Sequence, residues 1–255
     1  MADRLGYTAA SPNSSSIRRS WLDFAVRSLR ARLPVLNCPQ PRRSVRLTEN
    51  ARILDVGCGT GHNLAMLQQF GTVEACEMDP VARDLAGLRL GRPVLDAKLP
   101  ELLGVPESQY DLITLFDVLE HVEDDVAALK AIRTRLKPDG TLLVTVPANQ
   151  WMWSAHDIAH HHHRRYSKGT LARVFADAGF SAQLHSRFNS LLFLPIAAAR
   201  LVAKLRRRDA SDDVLPGARL NAVLKWIFGL EASLVGRLNM PVGISLIAVL
   251  RPTSV

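Results

Sequence analysis

Asp55 and Glu77 bracket the stretch of chain in which chemistry is best marked. Asp55 belongs to a short apolar run, Arg52-Ile53-Leu54-Asp55-Val56, and Gly57, Gly59 and Gly61 follow it at alternate positions. Glycines between a strand and a helix let the backbone approach a ligand closely. Two cofactors compete for such a loop. A dinucleotide fingerprint asks for a further glycine one place on, and His62 stands there. A carboxylate at the strand end also repels a pyrophosphate and suits a cation. Glu77 lies twenty residues past Gly57, at the end of the second apolar run, where an acid can hold both ribose hydroxyls. The two acids favour a nucleoside whose tail carries a positive amino group, and S-adenosylmethionine is that molecule.

Positioning these residues requires a sheet. Short apolar runs predict strands at 52–56, 73–78, 93–95, 110–116, 141–146, 181–187 and 244–250. Helices are expected at 62–70, 80–91, 124–137 and 167–178, with Lys137-Pro138-Asp139-Gly140 as a turn. The alternation implies an α/β fold with a mostly parallel sheet covered on both faces. Ahead of it, residues 17–33 place Ile17, Trp21, Phe24 and Leu29 near one helical face, and Pro34, Pro39 and Pro41 make a linker. Residues 191–238 read as a greasy helical stretch with a loop at 209–217. The chain divides into an N-terminal helical arm and linker (1–50), a catalytic core (51–190), a helical insertion (191–243) and a last core strand (244–255).

Charge is uneven along the chain. Residues 1–50 carry +6, residues 51–150 carry −6 and residues 151–255 carry +8, which sum to the net +8 of all 255 residues. An acidic centre with basic flanks suits a catalytic core wearing basic additions. Cys38, Cys58 and Cys76 form no disulfide framework and no zinc pattern, which fits a cytoplasmic setting. Residues 1–16 are polar and lack the apolar core of a signal peptide, and the uncharged run 188–199 is too short to span a bilayer.

The ordered set Ile53-Leu54-Asp55-Val56-Gly57-Cys58-Gly59-Thr60-Gly61, Glu77-Met78-Asp79-Pro80, Asp96-Ala97, Tyr110-Asp111-Leu112-Ile113, Asp117-Val118-Leu119-Glu120-His121-Val122 and Leu136-Lys137-Pro138-Asp139-Gly140 resembles class I S-adenosylmethionine-dependent methyltransferases. The resemblance implies a Rossmann-like sheet of seven strands whose last strand is antiparallel. It implies that Asp55 and the loop of Gly57, Cys58, Gly59 and Gly61 hold the methionine end of the cofactor. Glu77 would bind ribose, Met78 would pack on adenine, Asp96 would accept from the adenine amino group with Ala97 beside it, and Asp117 would lie beneath the cofactor.

The Leu119-Glu120-His121-Val122 version of the segment after strand four is similar to the small-molecule branch, including ubiquinone-pathway and bacterial natural-product or lipid enzymes. No Pro-Pro-aromatic or Pro-Cys pattern of base-modifying enzymes is present, which argues against nucleic acid as the partner. In some ubiquinone-pathway relatives this segment binds a divalent cation, which would make Glu120 and His121, with Asp117, candidate metal ligands. Residues 147–166 are similar to one bacterial subgroup. They offer His156, Asp157 and His162 as candidate catalytic residues beside His121 of the preceding segment, with Asp157 near both of these histidines in sequence. Trp151 and Trp153 would wall an acceptor, Arg164 and Arg165 would clamp an anionic group, and Tyr166 would add a polar tip.

The insertion, with Arg206-Arg207-Arg208 after its first helix, has three uses in descending order: a cover for a lipophilic acceptor, a homodimer interface, or a membrane-surface patch. The expected function is methyl transfer to a small, lipophilic, prenylated, polyketide or lipid-like acceptor by a monomer or homodimer. An RNA or protein methyltransferase using the basic flanks, and a non-catalytic cofactor-binding scaffold, are the alternatives.

Overall fold

The computed structural model describes residues 45, 47, 48, 50–205, 223, 226, 227, 230, 231 and 239–253. The expected arm helix at 17–33, its linker, Cys38 and Arg206 to Arg208 lie outside the described residues, as does the side chain of His156.

The strands are β1 (Arg52–Val56), β2 (Thr72–Cys76), β3 (Tyr110–Phe116), β4 (Leu136–Pro147), β5 (Phe180–Phe188) and β6 (Ser245–Pro252). They form one sheet in the order β2-β1-β3-β4-β6-β5. Neighbours from β2 to β4 are parallel, and β6 runs antiparallel to both β4 and β5. The crossovers place helices on both faces, as parallel pairing demands. On one face Ala128, Leu129 and Ile132 of the helix Asp125–Arg135, and Leu171 and Phe175 of the helix Lys168–Asp177, pack on Leu54, Ile113, Val144 and Ala248. On the other face Leu64 and Leu67, with Ala86 and Leu90 of the helix Pro80–Leu90, cover Ile53, Val73 and Leu112.

Among the described residues the sheet has six strands where seven were expected. The run at 93–95 makes only an isolated bridge, Cys76 to Leu95. Two hydrogen bonds tie it to β2, Leu95 N to Ala75 O and Glu77 N to Leu95 O. Pro93 brings no N–H to a ladder, and exposed Arg92, Pro93 and Asp96 give the run no face to bury.

Two boundaries also move. The helix at 62–70 shortens to one α-helical turn, Leu64–Leu67. Residues 137–140, read as a turn, lie within β4 as an irregularity, for Tyr110 pairs with Leu136 while Leu112 pairs with Thr141. A Cβ on Gly140 would stand 2.8 Å from the Tyr110 carbonyl oxygen, so the excursion needs glycine there.

Helix starts follow local rules. Asp79, Asp124 and Ser167 each accept a backbone N–H three residues on, from Ala82, Ala127 and Thr170. These caps fix where each helix leaves the carboxyl end of the sheet, and the site lies at that end.

Candidate functional site

At the end of β1 the Asp55 carboxylate is 1% exposed and accepts the Thr114 hydroxyl at 2.7 Å. Its second oxygen, Oδ2, is buried without a hydrogen-bond partner among the described residues. Burial pushes its pKa up to about 7; the Thr114 hydrogen bond opposes the shift and the Glu77 charge adds to it. An orphaned carboxylate oxygen beside an open loop is a receptor for a cation or an N–H donor.

The loop is held from β2. The N–H groups of Gly57 and Cys58 both donate to the Cys76 carbonyl. Glu77 Oε2 accepts from Gly59 N at 2.8 Å, and Oε1 accepts from Asp79 N at 3.0 Å. Gly59 has φ +54, and a Cβ there would meet nothing within 4 Å, so its backbone faces open space. A Cβ on Gly57 would come within 2.8 Å of Val118 Cγ2, which seats the loop against the turn after β3. Cys58 and Cys76 are buried free thiols.

On the far side of Glu77, Met78 is 65% exposed and stands at the open edge of the crevice. Ala97 is buried, while the Asp96 carboxylate is exposed and pairs with Arg83 at 3.0 Å. Arg83 also donates to the Glu77 and Met78 carbonyls. The sequence reading missed Arg83. It lies in the first turn of its helix and folds back over the strand end, with no motif to mark it.

Beyond β3, Asp117 adopts φ +55, donates its N–H to the Thr145 carbonyl and accepts the Thr145 hydroxyl at 3.1 Å. Left-handed backbone in a non-glycine residue costs about 1–3 kcal/mol and commonly marks a functional site. The turn Leu119–His121 follows, with Glu120 buried and His121 exposed. His121 meets His162 edge to face, with ring centroids 4.6 Å apart. Desolvation first, then the neighbouring imidazoles of His162 and His160, hold the His121 pKa below its usual value.

The segment 147–166 turns inward more than expected. Asp157 is fully buried and gathers five donors: His162 Nδ1 at 2.9 Å, Arg165 Nε at 2.7 Å, Arg165 Nη2 at 3.0 Å, Ser154 N at 2.9 Å and Ser154 Oγ at 3.3 Å. Burial works against its charge, but the His162 and Arg165 hydrogen bonds and the Arg165 charge outweigh it. They hold the carboxyl well below the usual carboxylate range. Asp157 thus joins His162, five residues away and one turn back on the loop.

Arg164 and Arg165 do not form the expected anion clamp. Arg165 spends its fork on Asp157, and Arg164 pairs with Asp125 at 3.0 Å while donating to the Glu123 carbonyl. Tyr166 is no polar tip at the mouth either. It is 2% exposed, and its hydroxyl donates to Asp125 at 2.8 Å. Arg164 and Tyr166 fasten the segment to the helix Asp125–Arg135 through Asp125, and Arg165 ties the segment to itself through Asp157; each brings a donor to a carboxylate that burial would otherwise leave unpaired.

Trp151 is half exposed and meets Phe193 edge to face at 6.3 Å, and Trp153 is half-buried. Of the four successive histidines, His160, His161 and His163 are exposed, and His162 alone joins Asp157.

Known proteins place this geometry. The model of the methyltransferase domain family matches residues 25–185. A ubiquinone biosynthesis O-methyltransferase of Bradyrhizobium diazoefficiens is 27% identical over 114 residues, 43% of this chain and 45% of that one. A mitochondrial ubiquinone biosynthesis O-methyltransferase of Schizosaccharomyces pombe is 32% identical over 101 residues, 37% of each chain. The matches thus span less than half the length of these curated relatives.

Among solved structures, a Haloferax volcanii methyltransferase in complex with the Trm112 activator superposes with TM-score 0.61 at 15% identity, covering 97% of this chain and 100% of that one. The 1,6-didemethyltoxoflavin-N1-methyltransferase of Burkholderia thailandensis superposes with TM-score 0.55 at 18% identity, covering 97% and 92%. These likenesses carry the fold. With the family model matched over most of its length, the chain belongs to the methyltransferase domain family, of the class I S-adenosylmethionine-dependent kind.

Proposed function

We propose that the protein transfers the methyl group of S-adenosylmethionine to a hydroxyl of a small, lipophilic acceptor. The cofactor's methionine end would lie along Gly57, Cys58, Gly59 and Gly61, with its ammonium on the orphaned Asp55 oxygen. Glu77 would take the ribose hydroxyls, Met78 one face of the adenine, and Asp96 with Ala97 its amino edge. The acceptor would enter over Asp117 and His121, between Trp151, Trp153 and Phe193.

One observation carries the choice of acceptor atom: the Asp157–His162 pair stands edge-on to His121. The turn bearing His121 also carries Val118, which packs on the cofactor loop. A hydroxyl must lose a proton when it is methylated. Its oxygen lone pair attacks the methyl carbon, the carbon–sulfur bond breaks with its electrons going to sulfur, and the proton is left to be taken up. With Nδ1–H donated to Asp157, the His162 ring would present Nε2 as the proton acceptor. Asp157 fixes that tautomer and stabilises the imidazolium that forms, while alignment and desolvation supply the remaining acceleration.

A second reading puts a divalent cation in place of the His162 base. Glu120, His121 and His162 bring one donor atom each within 4.8 Å of one another among the described residues. A carboxylate and two imidazoles suit zinc or a similar ion, which when bound would polarise the acceptor oxygen. Asp117, part of the set implied by the resemblance, is not in that group.

The test is turnover of labelled S-adenosylmethionine on a panel of lipophilic phenols, quinols and amines. The proposal expects methylated hydroxyls, and His162→Gln lowering the rate about 100-fold or more without loss of cofactor affinity. Methylation of amines alone, or an unchanged His162→Gln rate, refutes it. Turnover that survives exhaustive chelation removes the cation.

A further inference from the structure

A second group of ionisable side chains stands on the edge strand β5, away from Asp55 and His162. His185 and Arg187, two residues apart, pair across the ladder with Ala248 and Leu246. Both partners belong to the sheet face that the helix Lys168–Asp177 covers, so His185 and Arg187 point toward that helix. The Phe175 ring meets the His185 ring at 5.8 Å. Lys168, Leu171 and Phe175 share one side of the helix at spacings of three and four, and Leu171 and Phe175 are buried on the sheet. Helix and strand run in opposite directions about the Gly179 turn. Stepping from His185 to Arg187 along the strand is therefore matched by stepping back from Phe175 to Lys168 along the helix.

These groups converge without a carboxylate to pair them. Arg187 donates one guanidinium N–H to the Pro241 carbonyl at 3.0 Å. Neither Arg187 nor Lys168 forms an ion pair among the described residues. His185 Nε2 is buried and has no hydrogen-bond partner among the described residues. Burial first, then the Lys168 and Arg187 charges, push the His185 pKa down to about 4. Lys168 is held below its usual value by desolvation and then by Arg187. Like charges gathered in this way destabilise one another, and an anion among them reverses the sign of the interaction.

We infer that Lys168, His185 and Arg187 form a binding site for a phosphate group. Phosphate fits this set better than a carboxylate does, because its two charges answer both fixed cations and its oxygens can serve all three side chains. The Arg187 fork suits paired phosphate oxygens, and Lys168 acts as a point charge beside it. The His185 Nε2–H would meet a remaining oxygen, which gives that buried nitrogen the partner it otherwise lacks.

The phosphate would be free in solution or borne by the acceptor. Arg187 is one residue from the end of β5, which runs parallel to β4 and ends at the same edge of the sheet. The two strands are two spacings apart, about 10 Å. Residues 240–243 bridge the gap. Asn149, two residues before Trp151, donates through Nδ2 to the Gly243 carbonyl at 2.8 Å, and a Cβ on Gly243 would stand 2.9 Å from Arg187 Cβ. An amphiphile with its phosphate at Arg187 would lay its apolar part toward Trp151 and Phe193. The anion-holding role expected of Arg164 and Arg165 would then fall to Lys168 and Arg187. That placing of the acceptor rests on the proposed function; the phosphate site does not.

The test is calorimetric titration of the full-length protein, in phosphate-free buffer, with inorganic phosphate, octyl phosphate and octanol. The native protein should bind inorganic phosphate, and Lys168→Gln and Arg187→Gln should each weaken that binding about tenfold or more. Arg187→Gln also removes the bond to Pro241, whereas Lys168→Gln removes no side-chain hydrogen bond among the described residues, so it separates lost binding from a loosened fold. Without phosphate, Lys168→Gln should raise the melting temperature by relieving the repulsion, which loss of a merely structural lysine would not do. Octyl phosphate binding about tenfold tighter than both inorganic phosphate and octanol puts the phosphate on an amphiphile, and equal affinity for the two phosphates makes free phosphate the ligand. No binding of either phosphate by the native protein, or unchanged affinity in both variants, overturns the inference. His162→Gln should bind phosphate as the native protein does, so failure of the methyl-transfer reading would leave this result untouched.

Discussion

At the level of single residues, two buried carboxylates stand in opposite states. Asp55 is held near neutrality with a pKa of about 7, whereas Asp157 is held ionised by His162 and Arg165. For Asp55 the folded pKa lies above the ordinary value of 3.8, so the fold binds more protons than the unfolded chain between these values. Stability therefore falls as pH rises through that window. Asp55→Asn should raise the melting temperature of the cofactor-free protein at pH 8 and leave it little changed at pH 4, which differential scanning calorimetry would show. Cofactor binding runs the other way. An ammonium ligand prefers the carboxylate, so affinity for S-adenosylmethionine should rise between pH 6 and 8. Asp55→Ala should weaken it at least tenfold, or about 1.4 kcal/mol.

Asp157→Asn tests the opposite state. It leaves the Arg165 guanidinium buried against a neutral amide, at a cost on the order of 3–5 kcal/mol. Chemical denaturation should report that loss. His162→Gln should cost far less stability, because His162 sits at the partly open side of the pair.

At the element scale the glycine loop joins strand, turn and helix, and its members should fail differently. Gly61→Ala drives a Cβ to 2.9 Å from the Ala86 backbone on the helix Pro80–Leu90. Such overpacking costs about 1–3 kcal/mol and should appear in the unfolding midpoint. Gly59→Ala meets open space and pays only for its left-handed backbone, so stability should drop by about 1 kcal/mol while cofactor affinity falls further.

The same loop was legible in the sequence because its glycines serve backbone geometry and spacing alone reveals that. Caps at Asp79, Asp124 and Ser167 were equally local. The run at 93–95 was not legible as a lone bridge, since three apolar-looking residues carry no information about a missing neighbour. Arg164, Arg165 and Tyr166 read as a substrate clamp because sequence shows donors and hides acceptors. Asp125 and Asp157, eight to some forty residues away, take those donors.

At the scale of the whole molecule, the site lies where β1, β2, β3 and β4 end, at the carboxyl edge of a mostly parallel sheet. Open α/β sheets bind ligands at this edge because the loops there are free to vary while the strands hold them. The Asp55–Glu77 side is built from short loops after β1 and β2. The His121–His162 side is built from the longer segments after β3 and β4, so the proposed donor and acceptor would be held by loops from different strands of one sheet. The antiparallel β6 brings the insertion back to this edge, with Phe193 against Trp151.

The central claim is that this frame grips S-adenosylmethionine through Asp55 and Glu77, and a crystal structure with S-adenosylhomocysteine tests it most directly. The ligand's ammonium should lie within hydrogen-bond reach of Asp55 Oδ2, its ribose hydroxyls on Glu77 and its homocysteine chain along Gly59. Density for the ligand elsewhere, or in that crevice with its ammonium turned away from Asp55, would contradict it.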